Sequence, residues 1–311
     1  MIRTVIIITV VGLLLGAGVA LAQDPRPFSD LTVEAKLPVW GGYLTATKDA
    51  VWTFDHPNMR LVRIDAPSNG ISETTLPSYV GFQYPFALGE NAIWMPDLGT
   101  RGVIKIDDRS GAELMVVGVG MMSSNGVAVV DGSVWIGAYD SDSDQHMVIR
   151  YDAKTGAEQV RIPSPEPIFN VIGAGGYVWV NRLRQLVHID PETNSFGGGP
   201  AGEFDYAMWA GGGFLFAKSD RGGTMHQIDP ASGAVLRQLA LIGVNGSVNA
   251  AIGGGDLWVA TQSNELQRID LATGTMERFA GPMAVGLAFA AGSLWALSAD
   301  AEEVWRIAPP R

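Results

Sequence analysis

The sequence predicts an all-β fold: a seven-bladed β-propeller of four-stranded blades, closed by an N-terminal strand that completes the last blade. Three observations predict it. An apolar residue followed by Trp recurs every 36 to 44 residues. A second signature, ending in Asp, follows most of these pairs. Glycine is abundant, at 39 residues, and helical periodicity is missing throughout.

The first signature reads Val51-Trp52, Ile93-Trp94, Val134-Trp135, Val178-Trp179, Phe214-Leu215, Leu257-Trp258 and Leu294-Trp295, so the fifth copy carries Leu in the Trp place. The second reads Val62-Arg63-Ile64-Asp65, Ile104-Lys105-Ile106-Asp107, Ile149-Arg150-Tyr151-Asp152 and Val187-His188-Ile189-Asp190. Then come His226-Gln227-Ile228-Asp229, Gln267-Arg268-Ile269-Asp270 and Trp305-Arg306-Ile307-Ala308. Each repeat holds four strand-like pieces, a to d. In the third, Val127 to Val130 is strand a and Asp131-Gly132 a tight turn. Ser133 to Gly137 is strand b, Met147 to Tyr151 strand c and Glu158 to Ile162 strand d. Four strands in about 40 residues, seven times over, is propeller arithmetic.

These repeated residues have structural work to do. Strand a is rich in small residues because seven innermost strands crowd one axis. The Trp is expected to fill the gap between neighbouring blades. The Asp is expected to accept backbone N–H groups in the c–d turn. The seventh repeat supplies only a, b and c. The spare strand Leu31-Thr32-Val33-Glu34-Ala35-Lys36-Leu37 is expected beside Val304 to Ile307, removing two open sheet edges.

Residues 1–22 read as a secretory signal: Arg3, an apolar run from Val5 to Val19, and the small-x-small box Ala20-Leu21-Ala22. Residues 23–311 are then one propeller domain in the periplasm or outside the cell, with no stable membrane insertion after cleavage. There is no Cys, so no disulfide supports the fold. The leader holds one Arg and no acid, so its removal takes the formal charge from −11 to −12. That charge excludes nucleic acid as a partner. The chain is expected to act as a monomer.

In a propeller the d–a and b–c connections share one face, around the mouth of the central channel, and that face is the expected site. Aligning the repeats puts an aromatic and amide-rich ring there: Trp40, Tyr43, Tyr84, Asn125, Phe169, Asn170, Asp205, Tyr206 and Asn249. Such a ring suits a planar or sugar-like ligand. Arg182 and Arg184, with Lys218 and Arg221 of the next repeat, form a basic cluster that would attract a carboxylate. In the third b–c loop Asp140, Asp142 and Asp144 alternate, like the start of a calcium loop, although Gln145 stands where such a loop needs Gly. The loop is either a solvated acidic loop or a site for a calcium ion. Of four His, His188 is expected to face outward from strand c and His226 to be partly buried. His56 and His146 fall in b–c loops. No nucleophile motif, zinc spacing or phosphate loop appears.

The pattern Gly255-Asp256-Leu257-Trp258-Val259-Ala260 with Ile269-Asp270-Leu271-Ala272-Thr273-Gly274 resembles the virginiamycin B lyase (streptogramin lyase) family, and the broader YVTN and NHL-like bacterial propellers. The resemblance covers residues 31–308. It implies a seven-bladed propeller. It also implies opening of a cyclic depsipeptide by elimination, with histidines and a glutamate at the mouth and Mg²⁺. The family's histidines sit near the start of strand a, where this chain has Asn125, Asn170, Tyr206 and Asn249. No catalytic residue is therefore carried over. Two expectations follow. One is a non-catalytic propeller binding a small molecule, peptide or envelope protein at its mouth. The other is a metal-assisted lyase or hydrolase using His56, Glu203 and Asp205.

Overall fold

The computed structural model describes residues 24–76, 86–97, 101–118, 122–244, 246–281, 284–298 and 302–310. The leader segment 1–22 and Tyr84 lie outside these residues, and Asn125 is described only as part of its strand. The strands form seven sheets around one axis. Blade 1 holds Thr45–Ala46, Ala50–Asp55, Arg60–Asp65 and Ile71–Thr75 as strands a to d. Blade 3 is the longest, with Met122–Val130, Ser133–Asp140, Gln145–Asp152 and Glu158–Ser164. Its strands overrun the sequence expectation because pairing continues into the mouth-side connections. The innermost strands of blades 2 to 7 touch their neighbours in sequence, and blade 7 touches blade 1, so the ring closes.

Closure occurs as expected. Thr32–Leu37 pairs antiparallel with Glu303–Ala308, with Val33 opposite Ile307 and Leu37 opposite Val304. Burial alternates along this strand, with Val33, Ala35 and Leu37 half-buried and Thr32, Glu34 and Lys36 exposed, and the register shifts between Val33 and Ala35. A second device was not legible in the sequence. Arg26–Pro27 adds a fifth strand to blade 6, parallel to Met276–Ala280. Proline suits that outermost position, where no further strand needs its missing N–H. Phe28 then tucks against Trp305, with ring centroids 5.2 Å apart. The segment before the first blade thus ties blade 6 to blade 7.

The aromatic residues of strand b fill the slots between blades. Trp94 of blade 2 packs with Val134, Ile136 and Ile149 of blade 3. Trp135 packs with Val178 and Ile189 of blade 4, and Trp295 of blade 7 with Val51 and Ile64 of blade 1. Blade 5 corrects the sequence alignment by one residue. Phe216, not Leu215, fills the slot towards blade 6, among Leu257, Val259 and Ile269. Leu215 is instead the apolar partner, opposite Ile228 as Val178 is opposite Ile189. The aromatic place is therefore kept in all seven blades.

The residue of strand c opposite each aromatic is Arg63, Lys105, Arg150, His188, Gln227, Arg268 or Arg306. The cations lie over the Trp faces, from 4.8 Å for Arg150 to 5.9 Å for Arg268. His188 occupies the same slot, 5.4 Å from Trp179, with Nδ1 2.6 Å from the Gly198 carbonyl, so it does not face outward as expected. Several of these side chains reach the c–d turn of the next blade. Lys105 Nζ donates to Ala153 O (2.7 Å), Arg150 Nη1 to Pro191 O (2.7 Å), and Arg306 Nη1 to Ala66 O (2.8 Å). Blade 5 has the neutral Gln227 there. Its neighbour across the ladder, Arg237, supplies the reach instead, donating to Leu271 O and Ala272 O.

The aspartates that end strand c organise their turns. Asp152 Oδ1 accepts from the amides of Lys154 (3.0 Å) and Thr155 (2.7 Å) and from Thr155 Oγ1 (2.8 Å). Asp107, Asp229 and Asp270 each accept two turn amides in the same way. These bonds favour the ionised form and hold the carboxyls of Asp107, Asp152, Asp229 and Asp270 below their ordinary values.

Candidate mouth site between blades 4 and 5

Strand b ends at the mouth, and the position two residues beyond its aromatic is where the blades differ. It holds Phe54, Pro96, Gly137, Ala260 and Leu297 in five blades, but Asn181 in blade 4 and Lys218 in blade 5. Both polar residues are buried, at 0% and 1% exposure. Both turn to Asp205, in the first residues of strand a of blade 5 (Phe204–Gly211). Asn181 Nδ2 donates to Asp205 O at 2.8 Å, and Lys218 Nζ lies 3.2 Å from Asp205 Oδ2. Asp205 Oδ1 accepts from the Tyr206 amide at 2.7 Å. Lys218 also donates to Ser219 O at 2.8 Å. A buried lysine is thus held beneath a carboxylate that reaches solvent.

Above this base lies an aromatic shelf. Phe169 and Tyr206 have ring centroids 4.4 Å apart and planes 31° apart, and Tyr206 is 41% exposed. Asn170 Nδ2 donates to Tyr206 O at 3.1 Å, tying strand a of blade 4 (Ile168–Ala174) to strand a of blade 5. The backbones approach so closely here that a Cβ on Gly126 would meet the Val171 nitrogen at 2.5 Å. Gly126 also has φ +100°, a conformation L side chains rarely adopt. Arg184 borders the shelf, its guanidinium carbon 5.6 Å from the Tyr206 centroid. The left-handed turn at Leu183 and Arg184 (φ 44° and 67°) turns the chain there, and Asn181 Oδ1 accepts the Arg184 amide at 3.1 Å.

The structure redistributes the expected basic cluster. Arg184 is ion-paired to Asp220, and Lys218 to Asp205. Arg221 is almost fully exposed and lies 3.8 Å from Asp220. Arg182 turns away to cover Phe196, 5.2 Å from its ring. Two of the four charges are therefore already neutralised by carboxylates, and the four do not form one anion cradle.

The expected metal and catalytic sets do not assemble. Among the described residues no group of three or more His, Cys, Asp or Glu side chains is placed to hold a metal ion. Asp140 is occupied by its own turn, accepting from the Asp142 amide (3.0 Å) and Ser143 Oγ (2.6 Å), while Asp144 accepts from Tyr139 Oη (2.8 Å). His56 is exposed on the blade 1 turn, edge-on to Phe54. Glu203 and Asp205 belong to blade 5, so the three form no triad. His146 lies within strand c of blade 3, not in a loop, and stacks 4.6 Å from Tyr139. His226 is partly buried as expected, with Nε2 2.9 Å from Ser219 Oγ, and burial lowers its pKa. Of the remaining ring residues, Asn249 opens strand a of blade 6, while Trp40 and Tyr43 are exposed on the connection from blade 7 to blade 1.

Sequence reasoning reached Phe169, Asn170, Arg184, Asp205 and Tyr206, which the fold brings together. It did not single out Asn181 or Asp220. The signal for Asn181 and Lys218 was present, as the polar exceptions at a buried repeat position. The one-residue slip in blade 5 hid it, because Ala217 then stands in place of Lys218.

Comparison with known proteins agrees with this architecture. Residues 198–301 match a family model described as a repeat of unknown function. A search of curated proteins finds no match. Among solved structures, a streptogramin B lyase superposes with a TM-score of 0.68 at 16% identity, covering 87% of this chain and 94% of that one. Virginiamycin B lyase from Staphylococcus aureus gives 0.68 at 14% identity, covering 89% and 99%. The WD40 domain of Neurospora crassa Pan2 gives 0.66 at 9% identity, covering 88% and 90%. Proteins of such different description share the fold, so the likeness speaks for the fold alone.

Proposed function

We propose that this protein is an exported binding propeller, whose mouth between blades 4 and 5 takes a small molecule or peptide with a planar face and a hydrogen-bond donor. The planar face would lie on Tyr206 and Phe169, and the donor would meet the Asp205 carboxylate. One observation carries the reading: buried Asn181 and Lys218 replace apolar residues in these two blades, and both fix Asp205. A buried ion pair is a poor source of stability compared with the apolar packing used in the other blades, so its presence at the mouth points to a role beyond folding. The test is a thermal-shift screen of the protein against sugars, peptides and cyclic depsipeptides, with and without divalent metals. A true ligand raises the midpoint, because it binds the folded state only, and Tyr206→Ala removes that shift. A ligand whose shift survives Tyr206→Ala would refute this placement.

The likeness to streptogramin lyases favours a second reading, a metal-assisted lyase or hydrolase of related ancestry. It requires turnover of a cyclic depsipeptide with Mg²⁺, lost on His56→Ala or Asp205→Asn. The unlike residues at Asn170, Tyr206 and Asn249, and the separation of His56 from Asp205, place it second.

A further inference from the structure

Asp205 and Tyr206, the two residues that the blade 4–5 site turns to the mouth, stand on an irregular stretch of strand a. Phe204 pairs with Ser219 and Met208 with Ala217, so Asp205, Tyr206 and Ala207 lie against Lys218 alone. Such a bulge re-aims side chains at the expense of ladder bonds, so its shape rests on the pairs at its two ends. Met208, at the inner end, is buried among Trp179, Leu215 and Ile228. The mouth end is the Phe204–Ser219 pair, and His226 touches both members of it. Its ring stands edge-on to Phe204, with centroids 5.2 Å apart, and its Nε2 lies 2.9 Å from Ser219 Oγ. Strand register explains the reach. His226 is opposite the small Ala217, and with Ala217 and Ser219 it shares the face of blade 5 that looks towards blade 4.

This setting suits a neutral ring. Nδ1 is buried without a hydrogen-bond partner. An imidazolium carries a proton on both nitrogens, and the one on Nδ1 would meet nothing there. No counter-charge is held in reserve either. The charged groups on the surrounding elements are Glu203 and Asp205 on strand a, Lys218 and Asp220 on strand b, and Arg184 on blade 4, where His188 also titrates. Strand d sets the uncharged Gln238 opposite His226. Asp205 is paired with Lys218 and Asp220 with Arg184, while Glu203 is exposed to water. Burial is accordingly the cause that lowers the pKa of His226 below its ordinary 6.5. A His with a lowered native pKa supports the fold above that ordinary value and withdraws its support as pH falls below it.

We propose that His226 is an acid-sensitive latch on the blade 4–5 site: when it takes up a proton, its ring leaves Phe204 and Ser219, and the bulge that carries Asp205 and Tyr206 loosens. Taken with the binding reading, on which this consequence rests, the site holds its ligand near neutral pH and releases it in mild acid. The latch is peculiar to blade 5. The corresponding strand c places hold Val62, Ile104, Ile149, Val187, Gln267 and Trp305, none of which can gain a proton there. In blade 6 Gln267 is 0% exposed and exchanges two hydrogen bonds with the Ile242 backbone, so a neutral amide serves this place without any response to pH.

The experiment is hydrogen exchange of the purified protein, read by mass spectrometry on the peptide 203–209 at about pH 7.5 and about pH 5, with exposure times scaled to the chemical exchange rate. Protection of this peptide should fall about tenfold in acid, inside the ceiling of roughly thirtyfold that a group of ordinary pKa 6.5 can supply at that pH. The peptide 249–253, strand a of the blade that carries Gln267, should keep its protection. His226→Gln should leave 203–209 equally protected at both pH values. Ring NMR of the parent protein gives a readout that does not need the variant: the His226 Cε1–H signal should titrate with the same midpoint as the exchange. Neither readout uses a ligand, so an empty ligand screen refutes the binding reading and leaves the latch to these results. The latch is overturned if 203–209 is equally protected at both pH values, if 249–253 opens with it, if His226→Gln still opens in acid, or if the ring titrates apart from the opening.

Discussion

Replacing Arg150 with Met tests whether the cations of strand c hold the blades together. The side chain lies 4.8 Å from the Trp135 centroid, and its guanidinium donates to Ser133 Oγ (2.9 Å), Pro191 O (2.7 Å) and Asn194 Oδ1 (3.0 Å). Two of these bonds cross to blade 4. A hydrogen bond from a charged donor contributes about 1.5–3 kcal/mol. The lower end applies here, because Arg150 is only half-buried and water can reach the carbonyls. Two cross-blade bonds then give about 3 kcal/mol, and the cation over the ring adds about 1 kcal/mol. Methionine keeps the apolar stem and recovers about 1 kcal/mol by packing its thioether on Trp135. The net expected loss is about 3 kcal/mol, which for a domain this large lowers Tm by about 6 °C. Urea unfolding followed by circular dichroism gives the free energy, and a thermal scan gives Tm. Arg150→Lys should recover about a third of the loss, since it restores the charge but not the fork. A change under about 0.5 kcal/mol for Arg150→Met, the usual range of an ordinary surface substitution, would show that Trp packing alone joins the blades. Arg237→Ala in blade 5 should also destabilise, by about 1 kcal/mol given its exposure; a neutral result there would sink the idea that it replaces the missing cation.

Three further outcomes are expected. Phe216→Ala should cost about 3–5 kcal/mol, as for a buried aromatic, and clearly more than Phe214→Ala; denaturation midpoints decide it, and the reverse order would restore the unshifted alignment. Deleting residues 24–37 removes both the closing strand of blade 7 and the outermost strand of blade 6. The product should unfold or self-associate on a sizing column, and an equally stable monomer would contradict the closure. The third concerns acid. The c–d turn carboxyls have native pKa values lowered by their turn bonds. Their contribution is therefore present above the ordinary aspartate value near 3.9 and lost as pH falls through the lowered native values. Thermal midpoints should drop across that window, and Asp152→Asn should flatten the drop; a midpoint that is level through it would refute the assignment.

The repeat, the blade number, the role of Trp and Asp, and closure by residues 31–37 could be read from the sequence. Each is a local pattern repeated seven times, so one weak copy is outvoted by six clear ones. The slip at Phe214-Leu215 shows the limit of that vote. Without Trp, two adjacent apolar residues are indistinguishable in sequence, and only the ladder that sets Phe216 opposite Gln227 chooses between them. The pairing of Arg26–Pro27 with blade 6 likewise has no local signal, because a two-residue parallel strand is made by its distant partner.

At the mouth, the sequence determined which residue types stand at which blade ends, and so brought Phe169, Asn170, Arg184, Asp205 and Tyr206 into consideration. The tertiary structure alone decided which charges are already neutralised. Lys218 and Arg184 read as free cations in the chain, and become partners of Asp205 and Asp220 once adjacent connections meet. It also decided that the carboxylates of Asp140 and Asp144 are taken up within their own hairpin. The physical reason is common to all of these. Electrostatic pairing depends on distance, and in a propeller the distances across the mouth are set by the closing of the ring.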